Sequence, residues 1–334
     1  MKDSERKIRV CIIGGGAAGL CALRHFSKDL SIFEIEAYEQ TGNIGGTWVY
    51  SENTGLDENG LPIHSSMYRD LRQYSDPHIP EIPGIKTFPG RQLHSHTFRK
   101  SEEFSGKTVI VLGAGVSGVD IGVEVSEYAD KVYLSHNREK IIARLHPSMI
   151  QVAGIERVEK NEFFLKDGNS VFADDLIYCT GYKQTFPFFD ESCGIKVDDN
   201  YVYPLYKHTI NVHFPTMCFM GINTFVVSFN MFHVKAQYFQ ALLKKKFALP
   251  SKEEMLKDST LKTSKKWQAH NLGLKQYDFY DSLTQEAGLE PLPAFYRKAF
   301  EIYTQYRKYD LLHYKECQII LSEDDTNVRH INHR

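Results

Sequence analysis

Six cysteines are scattered through 334 residues, at positions 11, 21, 179, 193, 218 and 317, and no two of them form a Cys-x-x-Cys pair or a metal-ligand spacing. A redox disulfide and a cysteine-built zinc site are thereby excluded. The sequence also lacks an Asn-x-Ser/Thr sequon, a low-complexity tract and a basic stripe, and its formal charge is −2, which speaks against a nucleic-acid partner. Long hydrophobic runs are missing too. The best candidate, Met217 to Val234, is interrupted by Asn223, Ser228, Asn230 and His233, and reads as strand, loop and helix start rather than as a transmembrane segment. The charged N-terminus leads straight into a strand, not into the apolar core of a signal peptide. These absences predict a reduced, cytoplasmic protein.

The chain has 42% hydrophobic and 25% charged residues, enough to bury a core, and its length suits two domains. Its one internal repeat is a glycine-rich turn. VCIIGGGAAGLC at 10–21 returns as VIVLGAGVSGVD at 109–120. In each copy an apolar strand runs into Gly-x-Gly-x-x-Gly (Gly14, Gly16 and Gly19; Gly113, Gly115 and Gly118) and then into a helix. The first glycine permits the tight turn, the second admits a pyrophosphate, and the third lets helix and strand pack closely. The first-turn residues Ala17 and Ala18, and Val116 and Ser117, offer free N–H groups to an anion.

The ends of the second strands differ. Twenty residues past Gly19 the run from Ile32 ends at Glu39, followed by Gln40. An acid there accepts hydrogen bonds from a ribose 2′-OH. Twenty residues past Gly118 no acid stands at the tip, and Arg138 follows His136 and Asn137. An arginine there accommodates a 2′-phosphate, so the second site reads as built for NADPH. Glu139, next in line, works against that reading, and a solvated Arg138 is its plain alternative. Asp120 is either a nucleotide contact or an acid favoured by the helix dipole.

Residues 51–72 are polar with turn signals such as Glu58-Asn59-Gly60, and 73–90 are proline-rich. Short strands are predicted through 155–181, with a hairpin turn at Asp167-Gly168. Helices are predicted over 232–248 and from about 293 to 309.

Further motifs make the chain resemble the flavin-containing monooxygenases, the class B flavoproteins that oxygenate soft nitrogen and sulfur nucleophiles. Phe88-x-Gly90-x-x-x-His94-x-x-x-Phe98 is similar to that family's identifying motif. Gly45-Gly46-Thr47-Trp48 is similar to its flavin-side Gly-Gly-x-Trp, and LIYCTGYKQTFPFF at 176–189 to its threonine-glycine hinge. Baeyer–Villiger enzymes end the histidine motif with tryptophan, whereas Phe98-Arg99 stands here. The resemblance covers about 8 to 310.

The resemblance implies an α/β fold of two doubly wound, Rossmann-like dinucleotide-binding domains, the NADPH domain inserted in a discontinuous FAD domain. The boundaries would be 1–84 and 176–334 for FAD, 100–175 for NADPH, and 73–99 for a connector carrying the histidine motif. FAD would rest on Gly14, Gly16, Ala17, Ala18, Gly19, Glu39, Gln40, Gly46, Thr47 and Trp48. NADP would rest on Gly113, Gly115, Val116, Ser117, Gly118, Asp120, Arg138 and His94, with His94 alternatively orienting the connector. Trp48 would stack near the flavin or fill core. Lys235, where the family often has a polar residue near the flavin, would polarise the flavin ring or, on the plainer reading, be a surface lysine with its head in water.

The implied activity resembles that of N,N-dimethylaniline monooxygenase, with O2 and a small amine or sulfide as substrates. NADPH reduces FAD, oxygen adds at flavin C4a, and the substrate's lone pair attacks the hydroperoxide. No side chain is singled out as a catalytic acid or base, because the cofactor carries the chemistry. One departure stands out. In the family a long segment with a flavin-side asparagine, a β-meander and a strand follows SSMYRDLR; here Arg72 is followed at once by Gln73-Tyr74-Ser75-Asp76-Pro77. Two expectations result. One is a working monooxygenase with a trimmed site; the other is a shortened isoform that oxidises NADPH uncoupled or acts as a non-catalytic binding protein.

Overall fold

The computed structural model describes residues 6–49, 51–56, 63, 76–322 and 328–331, so the shortened stretch around Arg72 lies outside the described residues. The described chain divides into two compact units: 6–49 with Lys183–Pro293, and 51–56, 63 and 76–182 with the residues from Ala294 onward.

The first unit opens with β1 (Ile8–Ile13), α1 (Ala17–Phe26) and β2 (Phe33–Tyr38). The two strands pair in parallel, Ile8 opposite Phe33 through Ile13 opposite Tyr38. They form a two-stranded sheet among the described residues.

The second unit repeats this plan more fully. Its strands are β3 (Arg91–His94), β4 (Thr108–Leu112), β5 (Lys131–His136), β6 (Met149–Ala153), β7 (Ile155–Glu159), β8 (Glu162–Leu165), β9 (Ser170–Phe172) and β10 (Asp175–Tyr178), with α2 (Val116–Ser126) after β4. Five of them make one parallel sheet in the order β3-β10-β4-β5-β6. Val109, Ile110 and Val111 of β4 are fully buried, as the continuous apolar run of a two-sided parallel strand requires. On one face lies α2 with Val119, Ile121 and Val125. On the other lies the antiparallel meander β7-β8-β9, which closes Phe163 and Leu165 over Ile110. The meander turns at Gly168, where φ is +87°, matching the hairpin predicted at Asp167-Gly168.

The first unit resumes with the pairs β11 (Lys196–Asp198) and β12 (Tyr201–Tyr203), then β13 (Leu205–Tyr206) and β14 (Ile210–Asn211). Next come α3 (Ser228–Leu243), α4 (Lys252–Asp258) and α5 (Gln276–Ala287). In the second unit the chain ends with α6 (Ala294–Tyr309) and the hairpin of β15 (Gln318–Leu321) and β16 (Val328–Ile331).

The expected boundaries move: 51–56 and 76–84, expected with the first segment, and the described residues of the 73–99 connector fall in the second unit, whose sheet includes β3. The sheet of the second unit takes in β10, so the chain changes unit at 182/183 rather than at 175/176. The C-terminal residues join the second unit rather than the first. Backbone bonds from Arg144 to Tyr309 and from Leu311 to Arg144 hold them there.

The first unit clamps α1 to α3. His25 Nε2 and His233 Nδ1 are 3.0 Å apart. Gln240 donates to the His25 carbonyl and to Asp29, and Lys244 pairs with the same Asp29 carboxylate. Burial lowers the pKa of His25 to about 4, and His233, Lys28 and Arg24 push in the same direction; that of His233 is lowered too. The unfolded chain therefore binds these protons first. Stability is full above about pH 6.5 and falls as the pH drops toward 4. We expect His25→Gln to flatten the decline in the urea midpoint between pH 7 and pH 5.

Candidate functional site

The two glycine turns have nearly the same backbone. Gly14 and Gly113 have φ of +101° and +107°, a region that side-chain-bearing residues avoid. A methyl group added at Gly19 would lie 1.8 Å from the Gly14 carbonyl oxygen; at Gly118 it would lie 1.7 Å from that of Gly113. The third glycine is thus what lets each helix start against its own turn. Gly16 and Gly115 cap α1 and α2 in extended conformation, without a side-chain cap and without an acid in the first turn. The leading N–H groups and the positive dipole ends are left for an anion. Around Gly14 and Gly115 a methyl group would meet nothing within 4 Å. This uncapped, roomy donor set fits a dinucleotide pyrophosphate at both turns.

Gly45 and Gly46 complete the first cradle. The Gly45 N–H donates to the Gly15 carbonyl at 2.9 Å. Gly46 stands so near Gly16 that a methyl group on it would come within 3.0 Å of the Gly16 Cα. Glu39 stands at the tip of β2. One carboxylate oxygen accepts from the Gly15 N–H at 2.5 Å, and the other from the Thr41 N–H and hydroxyl. It ties strand tip to turn, and the oxygens' remaining lone pairs suit ribose hydroxyls. Gln40 beside it is exposed. Thr47 and Trp48 sit on the single helical turn Gly46–Trp48. Trp48 is 39% exposed and leans on Phe229, itself exposed, at 5.8 Å. It is a surface aromatic rather than core filling.

In the second cradle Val116 and Ser117 form the first turn of α2. Arg138 reaches back over the glycine turn, its Nη1 3.4 Å from the Ala114 carbonyl. The residue as a whole is exposed, so its guanidinium lies at the rim of the cradle within reach of solvent.

Three site readings are corrected. Asp120 is 7% exposed and already engaged: Tyr314 OH donates to Oδ1 at 2.5 Å, and Lys315 Nζ lies 3.3 Å from Oδ2. It anchors the C-terminal segment to α2 and is not a nucleotide contact. His94, at the end of β3, is 5% exposed. Its Nδ1 accepts from the His96 N–H, and its ring meets Tyr182 edge-on at 5.0 Å. Burial lowers its pKa to about 4 despite the Gly181 carbonyl. It packs against Tyr182 of the Thr180-Gly181-Tyr182 stretch and leaves little surface for a ligand.

Lys235 is fully buried. Its Nζ donates to the carbonyls of His208 and Phe219 at 2.8 and 3.2 Å, and burial lowers its pKa to about 7. Two histidines buttress this amine. The Val202 N–H donates to His270 Nε2 at 2.9 Å, so His270 carries its proton on Nδ1. That proton faces His208 Nδ1 at 2.9 Å. Both rings are therefore neutral as packed, and burial lowers the pKa of His208 to about 4, with Lys235 adding to the effect. The sequence held no signal for this cluster, because its members lie at 202, 208, 235 and 270.

Among the described residues no helix is long and apolar enough to cross a membrane. All six cysteines are free thiols.

A family model described as flavin-binding monooxygenase-like matches residues 71–148 and 143–287. Flavin-containing monooxygenase FMO GS-OX3 of Arabidopsis thaliana is 29% identical over 293 residues, covering 81% of this chain and 63% of its own length. The chain thus spans under two thirds of that relative. Senecionine N-oxygenase of Tyria jacobaeae is 26% identical over 432 aligned positions, covering 98% of this chain and 92% of its own. Since the chain has 334 residues, roughly a hundred of those positions have no counterpart in it. The structure of S-allyl-L-cysteine S-oxygenase from Allium sativum superposes with a TM-score of 0.77 at 25% identity, over 90% of this chain and 93% of the other. Such monooxygenases use FAD and NADPH. The chain belongs to the family of flavin-binding monooxygenase-like proteins, as a shortened member.

Proposed function

We propose that the chain is an NADPH- and O2-dependent monooxygenase that oxygenates a soft nitrogen or sulfur atom of a small molecule. The observation that carries this reading is the pair of matching glycine turns with unlike strand tips, Glu39 at one and Arg138 at the other. FAD would be held by Gly14, Gly16, Ala17, Ala18, Gly19, Glu39, Gln40, Gly46, Thr47 and Trp48. NADPH would be held by Gly113, Gly115, Val116, Ser117, Gly118 and Arg138. When bound, FAD supplies oxygen activation and NADPH the reducing equivalents, the division of labour usual in cofactor enzymes. The chain's own contribution is positional. Its first-turn N–H groups neutralise the pyrophosphates, Glu39 fixes a ribose, and Trp48 offers a face for stacking. The nitrogen or sulfur preference follows from relatives whose names are those of an N-oxygenase and an S-oxygenase.

The visible spectrum of the purified protein tests this reading. A flavin band near one per chain that bleaches with NADPH and returns in air supports it; a colourless protein defeats it. The absence after Arg72 of the family's segment with its flavin-side asparagine favours an uncoupled variant of the same activity. We expect NADPH consumption to exceed oxygenated product, with hydrogen peroxide making up the difference; equal rates would remove the uncoupled variant. Arg138→Ala should weaken NADPH about ten- to a hundredfold, the value of a lost charge-assisted hydrogen bond, and leave NADH unchanged. Equal loss for both would show that Arg138 does not read the 2′-phosphate.

A further inference from the structure

The chain contains its own standard for what surrounds a strand like β1. In the second unit the backbones of Thr108, Ile110 and Leu112 face β10, and those of Val109, Val111 and Gly113 face β5. In the first unit the bonds from Ile8 N–H to Ile32 and from Gly14 N–H to Tyr38 commit the even positions to β2. Arg9, Cys11 and Ile13, the counterparts of Thr108, Ile110 and Leu112, turn their N–H and C=O groups to an edge with no strand beside it among the described residues. Nor does the meander have a counterpart there among the described residues. Ile110 is fully buried under it, whereas Cys11 is exposed and Ile13 is 55% exposed.

The uncovered face is polar where its counterpart is apolar. A shallow cleft of about 160 Å³ on it is lined by Arg9, Val10, Cys11, Glu34 and Glu36. A large covering segment would bury Arg9, Glu34 and Glu36 at a cost in desolvation. Simple edge pairing leaves them in water and satisfies only the backbone.

We propose that the free edge of β1 pairs antiparallel with β1 of a second copy of this chain, joining two short sheets into one of four strands. An isologous contact of this kind closes on itself and does not propagate, and it removes the hazard of an open edge. Charge selects the register. Pairing about Val10 sets Arg9 opposite Cys11 of the second copy. Each arginine then lies between its own Glu34 on one side and, beyond that cysteine, Glu36 of the other copy. No like charges stand opposite one another.

Light scattering on the eluting full-length protein tests this, with circular dichroism as the check on folding. The wild type is expected to be a dimer, and bis-maleimide should cross-link it through Cys11. Arg9→Glu places three acids in a row and should give a folded monomer; adding Glu36→Arg should restore the dimer. Cys11→Pro removes an N–H directed to the free edge without costing a bond to β2, and should also give a folded monomer. A monomeric wild type overturns the proposal, and so does a dimer that survives both Arg9→Glu and Cys11→Pro. Neither outcome depends on whether the protein binds FAD.

Discussion

Gly118→Ala is expected to destabilise the second unit severely, whereas Gly115→Ala should leave it folded and unable to hold NADPH. The two glycines are three residues apart and differ in what surrounds them. At Gly118 the new methyl group would sit 1.7 Å from a backbone oxygen, that of Gly113. Nothing flexible can yield, so the turn or α2 must move. Overpacking costs about 1–3 kcal/mol even where side chains can adjust. A loss at or above the top of that range lowers the melting temperature by on the order of 10 °C. Gly122→Ala is the control within the same helix. There the methyl group meets the Met149 side chain at 2.5 Å, and a methionine terminus can turn away. At Gly115 the backbone is ordinary and a methyl group meets nothing within 4 Å. The apo protein should melt only a few °C below wild type, because alanine is a poorer N-cap than glycine by about 1 kcal/mol and no clash is added. The added methyl group takes the room a pyrophosphate would use, so titration with NADPH should show binding weakened at least tenfold. Unchanged NADPH affinity in Gly115→Ala would place the reductant elsewhere.

Lys235→Met should abolish a gain in stability that the wild type shows as the pH rises from about 7 to about 10. In the folded chain Lys235 loses its proton near pH 7; in the unfolded chain it does so near 10.5. Between these values the unfolded state holds more protons, so raising the pH stabilises the wild type. Below pH 7 both states are charged, and the full penalty of burying the ammonium applies. A shift of this size corresponds to on the order of 5 kcal/mol across the window. Methionine removes the penalty and also the bonds to His208 and Phe219, leaving two buried carbonyls short of a donor at about 1–3 kcal/mol each. The variant should therefore be less stable than wild type near pH 10, and should match or exceed it near pH 6. Buried cysteines and tyrosines titrate in both proteins, so the difference between the two unfolding curves isolates the lysine. Parallel curves would mean that the amine is neutral throughout or fully solvated.

What the sequence makes legible follows from how local the signal is. Each glycine turn is specified within six residues, and Asp167-Gly168 fixes its hairpin within a few more. The helix α3 is visible because Phe232, Ala236 and Phe239 recur on one face. The helix α5 is hidden because its buried positions are Gln276, Tyr277, Tyr280, Leu283, Thr284 and Ala287. Their spacing is helical, but the stripe is largely tyrosine and amide rather than aliphatic. The Ser251–Glu254 capping box ahead of α4 is a signal that local reading could have found. Asp120 misled for another reason. Its partners Tyr314 and Lys315 are about two hundred residues away, and nothing near position 120 announces them. Lys235 reads as a surface lysine because charge normally seeks water, and only its two carbonyl partners show otherwise.

The near-identity of the two glycine turns means that neither can tell one dinucleotide from another. Their amides present the same spacing and the same handedness to whatever phosphate arrives. The choice of cofactor must therefore be written in the short stretches at 39–41 and 136–139, where the strands give out. An engineer wishing to re-address either site would leave every glycine alone and randomise only those seven positions. Of the seven, Glu39 and the buried His136 also hold the scaffold, so those two would be varied last.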